Sequence, residues 1–161
     1  MSLRSFLNEK VIEPILAQIK QGVTPRKLAL SIAFGVALGI FPVIGVSILL
    51  CLLIGIPLKL NQPALQAVNL LMYPFQIPLV LVFVRLGEFL FQAPPLLFSV
   101  TELRQVFMAN PAEFLRRFGM AGLHGIAGWL AVAPLLTAGV YCLVLPILKK
   151  IKLDERLALD P

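Results

Sequence analysis

The residues able to do chemistry in this sequence are amides and charges set inside or beside long apolar runs. Asn61, Gln62, Gln66, Asn69, Tyr73 and Gln76 form the densest polar set in apolar surroundings. At helical spacing Gln62, Gln66 and Asn69 fall on one face, and Tyr73 continues it. Such amides serve either as hydrogen bonds between helices or as contacts to a ligand. Arg85 and Glu88 stand three residues apart at the end of an apolar run and so share a helical face. An ionisable pair there is costly unless it is paired or wet. It acts either as a guanidinium that grips phosphate bidentately, held by Glu88, or as a boundary pair on the water side. Gly39, Pro42 and Gly45 form a third group. Proline removes a backbone donor and glycine permits a sharp bend. A helix broken in this way directs free N–H or C=O groups toward its break, as in transporters that hold ions near the midplane. A purely structural kink would use the same residues.

Catalysis would need a positioned nucleophile, base or metal set. The single histidine, His124, has no Asp or Glu near it in sequence and no second histidine with which to hold a metal. It reads as a hydrogen-bonded residue between helices, or as a headgroup contact or proton relay. Cys51 and Cys142 both lie deep in apolar runs, without metal-ligand neighbours, and read as small packing residues. No enzyme, metal or cofactor is expected.

Composition says what surrounds these residues. Of 161 residues, 59% are hydrophobic and only 14% are charged, and the mean hydropathy is +0.93. A soluble domain carries about 25% charged residues because its surface faces water; here the missing solvent is lipid. The net charge is +6, but the cations flank apolar blocks. Arg4, Lys10, Lys20, Arg26 and Lys27 precede the first block, and Lys149, Lys150, Lys152 and Arg156 follow the last. This is the pattern of membrane orientation and attraction to anionic lipid, and it argues against nucleic acid.

The elements follow from where charges stop. Residues 1–21 carry an amphipathic helical pattern suited to the membrane interface. Thr24-Pro25 reads as an N-cap followed by a first-turn proline. From Leu28 to Leu58 no residue is charged. As one helix that run would be roughly 46 Å long, against a hydrocarbon thickness of about 30 Å. With Pro42 near its centre it predicts a broken or re-entrant pair of arms. Prolines at 63, 74 and 78 predict further breaks, with Asn69 to Pro78 held inside the molecule or beside a wet cavity. Asn110-Pro111-Ala112-Glu113 resembles a capping box and opens the end of a second interfacial segment, 101–118. The last block, 118–148, carries Gly119, Gly122, Gly125 and Gly128 for close helix packing. Pro134 predicts a division at its middle, which hints at a repeat of the first block.

Between Gly22 and Gly87 the chain resembles a bacterial inner-membrane family known as a domain of unknown function, some members of which are fused to glycosyltransferase modules. The resemblance rests on Thr24-Pro25, the run Ala33 to Gly39, Phe41-Pro42 and Gly45. It continues through Leu60-Asn61-Gln62-Pro63-Ala64, Pro74-Phe75-Gln76-Ile77-Pro78 and Arg85-Leu86-Gly87. It implies a core over 24–92 and a link to cell-envelope glycan or lipid metabolism. Where the family pattern reads Asn-Pro-x-Thr, this chain has Tyr73-Pro74-Phe75-Gln76, so a ligand held by that Asn and Thr would be held differently here.

The expectation is one all-α integral membrane domain over 1–161, with Pro-broken, re-entrant transmembrane helices and short interfacial amphipathic helices. Basic ends place both termini in the cytoplasm of a bacterial inner membrane, with an even number of full crossings. The expected function is binding or translocation of an anionic lipid, polyprenyl phosphate being one such class. The site would comprise Gly39, Pro42, Gly45, Asn69, Tyr73, Gln76, Arg85 and Glu88. The alternative is a non-catalytic scaffold for a glycosyltransferase or other envelope enzyme; a small ion or solute channel is a third reading. The glycine-lined faces also permit a homo-oligomer.

Overall fold

The computed structural model describes residues 23–43, 45–95, 108 and 110–159, and the regular structure among them is entirely helical. Four helices follow in order: α1 Pro25–Gly39, α2 Ser47–Gly55, α3 Gln62–Leu90 and α4 Pro111–Leu159. The expected interfacial helix over 1–21, and residues 101–107 of the second one, lie outside the described residues.

Local chemistry sets the helix ends. Thr24 caps α1, its hydroxyl accepting from the Lys27 N–H at 3.4 Å, with Pro25 in the first turn. Asn61 caps α3 by accepting from the Ala64 N–H at 2.9 Å. The Asn110 side chain accepts from the Ala112 N–H at 3.1 Å at the start of α4. The turns after α2 and α3 close through Lys59 (φ 51) and Gln92 (φ 52), two non-glycine residues in the left-handed region. In each turn the next N–H returns to a carbonyl five residues back, Leu60 to Gly55 and Ala93 to Glu88, as helix C-caps of this kind do.

The first apolar run does break. α1 ends at Gly39 and helix resumes only at Ser47, with Pro42 in the gap and Gly45 turning the chain at φ 85. The chain then comes back. The Asn61 N–H donates to Ser31 Oγ at 2.8 Å, and Ser31 donates to the Lys27 carbonyl at 2.8 Å. The exit of α2 is therefore level with the early turns of α1, and the two form an antiparallel helical hairpin.

α3 runs parallel to α1. A Cβ added at Gly35 or Gly39 would lie 2.8 Å from Val68 Cβ or 2.6 Å from Met72 Cβ. α4 returns antiparallel to both: Gly87 abuts His124, Gly128 abuts Phe83, and Leu148 packs with Leu28. The core sits in two places. One cluster, including Phe41, Cys51, Leu65, Phe83 and Trp129, runs from the hairpin tip along the contact of the hairpin with α3 and α4. The other, Leu28, Ala29 and Leu148, closes the end where the hairpin opens. Ala64 to Gly87 on α3, like His124 to Leu148 on α4, covers roughly 35 Å of helix. Gln76, which meets the hairpin tip, is the central residue of α3.

Three expectations about breaks are corrected. α3 continues through Pro74 and Pro78, and α4 through Pro134 and Pro146. No interruption at residue 118 separates an interfacial helix from the last apolar block, because Pro111–Leu159 is one helix of 49 residues. The second block therefore does not repeat the broken first one. The physical reason lies in where the rings face. All four prolines are exposed, and so are Leu70, Leu130 and Cys142, whose carbonyls lose a partner to Pro74, Pro134 and Pro146. The missing bonds fall on the outer side, and the packed side of each helix is left intact.

Within these helices, Gln62–Leu90 and Gly119–Ile151 are long and apolar enough to cross a membrane. Only 17% and 6% of their apolar windows are buried, whereas the core helix of a soluble protein would be mostly covered. Ile77, Leu81, Phe89, Leu135 and Leu143 are each more than two thirds exposed.

Candidate functional site

The hairpin tip is where buried polar groups gather. The Gln76 side chain, 1% exposed, donates from Nε2 to the Phe41 carbonyl at 2.7 Å. That carbonyl lies just past the end of α1, where no helical N–H reaches it. The Trp129 indole N–H donates to the Ala37 carbonyl at 2.8 Å, and its ring meets Phe41 edge-on at 5.0 Å. α3 and α4 thus each supply a donor to the frayed end of α1, which holds the break open in one geometry.

Other groups at the break have acceptors or donors to spare. Ser47, in the first turn of α2, is fully buried, and its hydroxyl has no partner among the described residues. Asn69 is also fully buried and its Oδ1 has no partner there. Its Nδ2 makes a long 3.5 Å contact to Gln66 Oε1, and Gln66 Nε2 donates to the Ile48 carbonyl at 3.3 Å. This chain of amides ties Asn69 to the first turn of α2. That turn carries no side-chain cap, since Val46 occupies the cap position. Free N–H groups at a helix start favour an anion or a polar oxygen.

The expected site residues therefore separate into two groups. Gly39, Pro42, Gly45, Asn69 and Gln76 assemble around the tip. Gly39 serves close packing, for its Cβ position lies 3.1 Å from the Asn69 carbonyl, and Gly45 serves the turn. Tyr73 is half-buried, and its hydroxyl makes no hydrogen bond among the described residues. Arg85 and Glu88 are not brought to the tip. They lie beyond it on α3, nine residues or roughly 13 Å past Gln76, and bond to each other at 2.8 Å. The Arg85 side chain is 49% exposed and that of Glu88 only 4%, so the carboxylate is inside and the guanidinium reaches out.

His124 belongs to this far end. It is 8% exposed, its Nδ1 has no partner among the described residues, and its ring lies 5.7 Å from Phe91. Gln62 is packed against Gly55 at the opposite end of α3, and neither polar atom of its side chain has a partner among the described residues. The set that looked continuous along one face is thus distributed along the contact of α3 with the hairpin. Among the described residues no three His, Cys, Asp or Glu side chains gather as a metal site.

Sequence reasoning missed Ser31, Ser47 and Trp129. A lone hydroxyl or indole in an apolar run was the available signal, since each needs a partner once buried. It also missed an apolar groove of about 420 Å³ between α1 and α4, lined by Phe34, Ala37, Trp129, Ala133, Thr137 and Tyr141 among others.

No curated protein and no solved structure matches this chain. Residues 11–156 match the family model described as "Uncharacterized protein conserved in bacteria (DUF2062)". That match spans the hairpin, both long helices and the buried polar groups between them, and the chain belongs to that bacterial family.

Proposed function

We propose that this protein binds an anionic lipid of the bacterial cell envelope, polyprenyl phosphates being one such class, and carries its headgroup across the inner membrane. α3 and α4 are the two full crossings, and the α1–α2 hairpin is a re-entrant element. It enters from the cytoplasmic side and turns back near mid-depth. Arg26, Lys27, Lys59, Lys149 and Lys150 are all exposed at the end where the hairpin opens. By the positive-inside rule that end is cytoplasmic, as are both chain termini.

The observation that carries this reading is the buried polar break between α1 and α2, which meets the centre of α3 at Gln76. Unpartnered polar groups are costly in hydrocarbon, and Ser47 Oγ and Asn69 Oδ1 are both fully buried without partners among the described residues. A headgroup passing the midplane would meet these groups and the uncapped start of α2 halfway. Arg85, half exposed and backed by Glu88, supplies a phosphate contact farther along the same helix.

The test is reconstitution into liposomes holding a headgroup-labelled phosphatidylglycerol, with dithionite added outside. Faster loss of inner-leaflet label than in empty vesicles is expected, and slower loss for Gln76→Ala and Ser47→Ala. No binding and no flipping of any anionic lipid rejects the proposal.

A second reading is a membrane scaffold for an envelope enzyme. It is favoured by Gly119, Gly122 and Gly139, whose Cβ positions have nothing within 4 Å among the described residues, leaving small-residue faces open to another helix. It prevails if Arg85→Ala and Gln76→Ala leave function intact while changes within residues 1–21 abolish it.

A further inference from the structure

The groove between α1 and α4 begins beside the tip, at Ala37 and Trp129, and runs away from it, and its lining differs in kind. Phe34, Ala37, Trp129, Ala133, Thr137 and Tyr141 contribute to a space of about 420 Å³. The polar atoms of Trp129 and Thr137 in its wall are already engaged, and Tyr141 stands toward its basic end. The Trp129 N–H bonds the Ala37 carbonyl, and the Thr137 hydroxyl donates to the Ala133 carbonyl of its own helix at 2.8 Å. What the groove offers an occupant is carbon. Pro134 is exposed in its wall, and no helix among those described fills the space beside it.

Length and charge identify the occupant. From Trp129, level with the hairpin tip, to Tyr141, in the cluster that closes the basic end, α4 covers roughly 18 Å. One leaflet of hydrocarbon is about 15 Å deep, half of a core of about 30 Å. The groove therefore starts near mid-depth and finishes where lipid headgroups would lie. Roughly 10 Å farther along α4, Leu28 packs with Leu148; the exposed Arg26 and Lys27 of α1 and the exposed Lys149 and Lys150 of α4 lie within two residues of that contact. None of the described side chains at that end is acidic. Four cations from two helices thus stand beyond one end of a tail-sized apolar slot.

We infer that this groove is a built seat for one anionic phospholipid of the cytoplasmic leaflet, its acyl chain along Trp129 to Tyr141 and its phosphate among Arg26, Lys27, Lys149 and Lys150. The inference rests on the lipid-handling reading only for setting the groove in a bilayer. It assigns a resident or waiting lipid a place distinct from the tip.

Trp129 is the only tryptophan in the chain, lines the groove, and is otherwise shielded at 9% exposed. The experiment reconstitutes the full chain into vesicles containing phosphatidylglycerol or phosphatidylcholine brominated in the acyl chain, and reads quenching of its fluorescence. Stronger quenching by the anionic lipid is expected. Each cation near an anionic surface is worth about fivefold in binding, so Lys149→Gln with Lys150→Gln should cut the preference by roughly five- to twenty-fivefold. Ala138→Phe, which fills the groove from an exposed position in its wall, should reduce quenching by both lipids. Equal quenching by the two lipids, no quenching by either, or a preference untouched by the glutamine substitutions overturns the inference. The surface glutamine pair decides the matter even if Ala138→Phe does not fold. A charge preference at Trp129 without flipping in the dithionite assay removes the transport reading alone. Flipping without that preference removes this seat alone.

Discussion

Replacing Gly87 with alanine should separate α3 from α4, and the structure sets the size of the effect. The new Cβ would lie 1.8 Å from the His124 carbonyl oxygen, 2.4 Å from its carbon and 2.7 Å from its Cα. All three are backbone atoms, so no side chain can swing aside. Ordinary contact begins near 3.4 Å, so the helices must part locally by about 1.6 Å. That motion also pulls Gly128 away from Phe83 and Gly125 away from Val84, both in the same crossing. A gap of 0.5–1 Å already forfeits a quarter to a half of each dispersion contact, and overpacking of this kind costs about 3 kcal/mol. The control is Gly122→Ala on the open side of α4, where nothing lies within 4 Å among the described residues. There the added methyl should be neutral, or stabilising by up to about 1 kcal/mol through helix propensity. Equilibrium unfolding in mixed micelles with added SDS, followed by Trp129 emission, compares the two. If Gly87→Ala falls within about 0.5 kcal/mol of the unsubstituted protein, the level of a bland surface change, the α3–α4 contact is not the close crossing described.

Three further outcomes can be measured. Gln76→Leu should destabilise the same unfolding equilibrium by about 1–3 kcal/mol, because it strands the buried Phe41 carbonyl at the hairpin tip. In a protein with Cys51 and Cys142 replaced by alanine, Lys59→Cys and Lys150→Cys should react with a membrane-impermeant maleimide from one side and Phe89→Cys from the other. Labelling of Lys59→Cys from the side of Phe89→Cys would remove the re-entrant hairpin. Gln92→Gly should raise the SDS midpoint by the equivalent of about 1 kcal/mol, since it relieves a left-handed non-glycine residue at the end of α3; an unchanged or lower midpoint contradicts that strain.

How far sequence alone reaches is clearest in the prolines. Pro42 was legible as a break because glycines flank it, and Gly45 takes a backbone conformation that other residues avoid. Pro74 and Pro134 carry the same missing donor, yet the helices pass through them. The flanking glycines mark Pro42, but a proline's missing donor alone does not say whether a helix stops; that depends on whether the ring and its orphaned carbonyl face outward, as they do at Pro74 and Pro134. Arg85 and Glu88 were legible as a pair because three residues along a helix are always neighbours. Their distance from the tip was not, since it depends on how deep the hairpin reaches along α3.

Composition, caps and the Pro42 break follow from the sequence by itself, because each depends on solvent preference or on backbone geometry within a few residues. The all-helical fold, the flanking cations and the last long apolar stretch belong with them, whereas the continuity of α3 through its prolines does not. Only the tertiary structure decided that Asn61 returns to Ser31, that Gln76 and Trp129 steady the end of α1, and that α1 and α4 leave a groove between them. Those facts join residues 30 to 92 positions apart, and helical periodicity cannot encode which helix a face will meet.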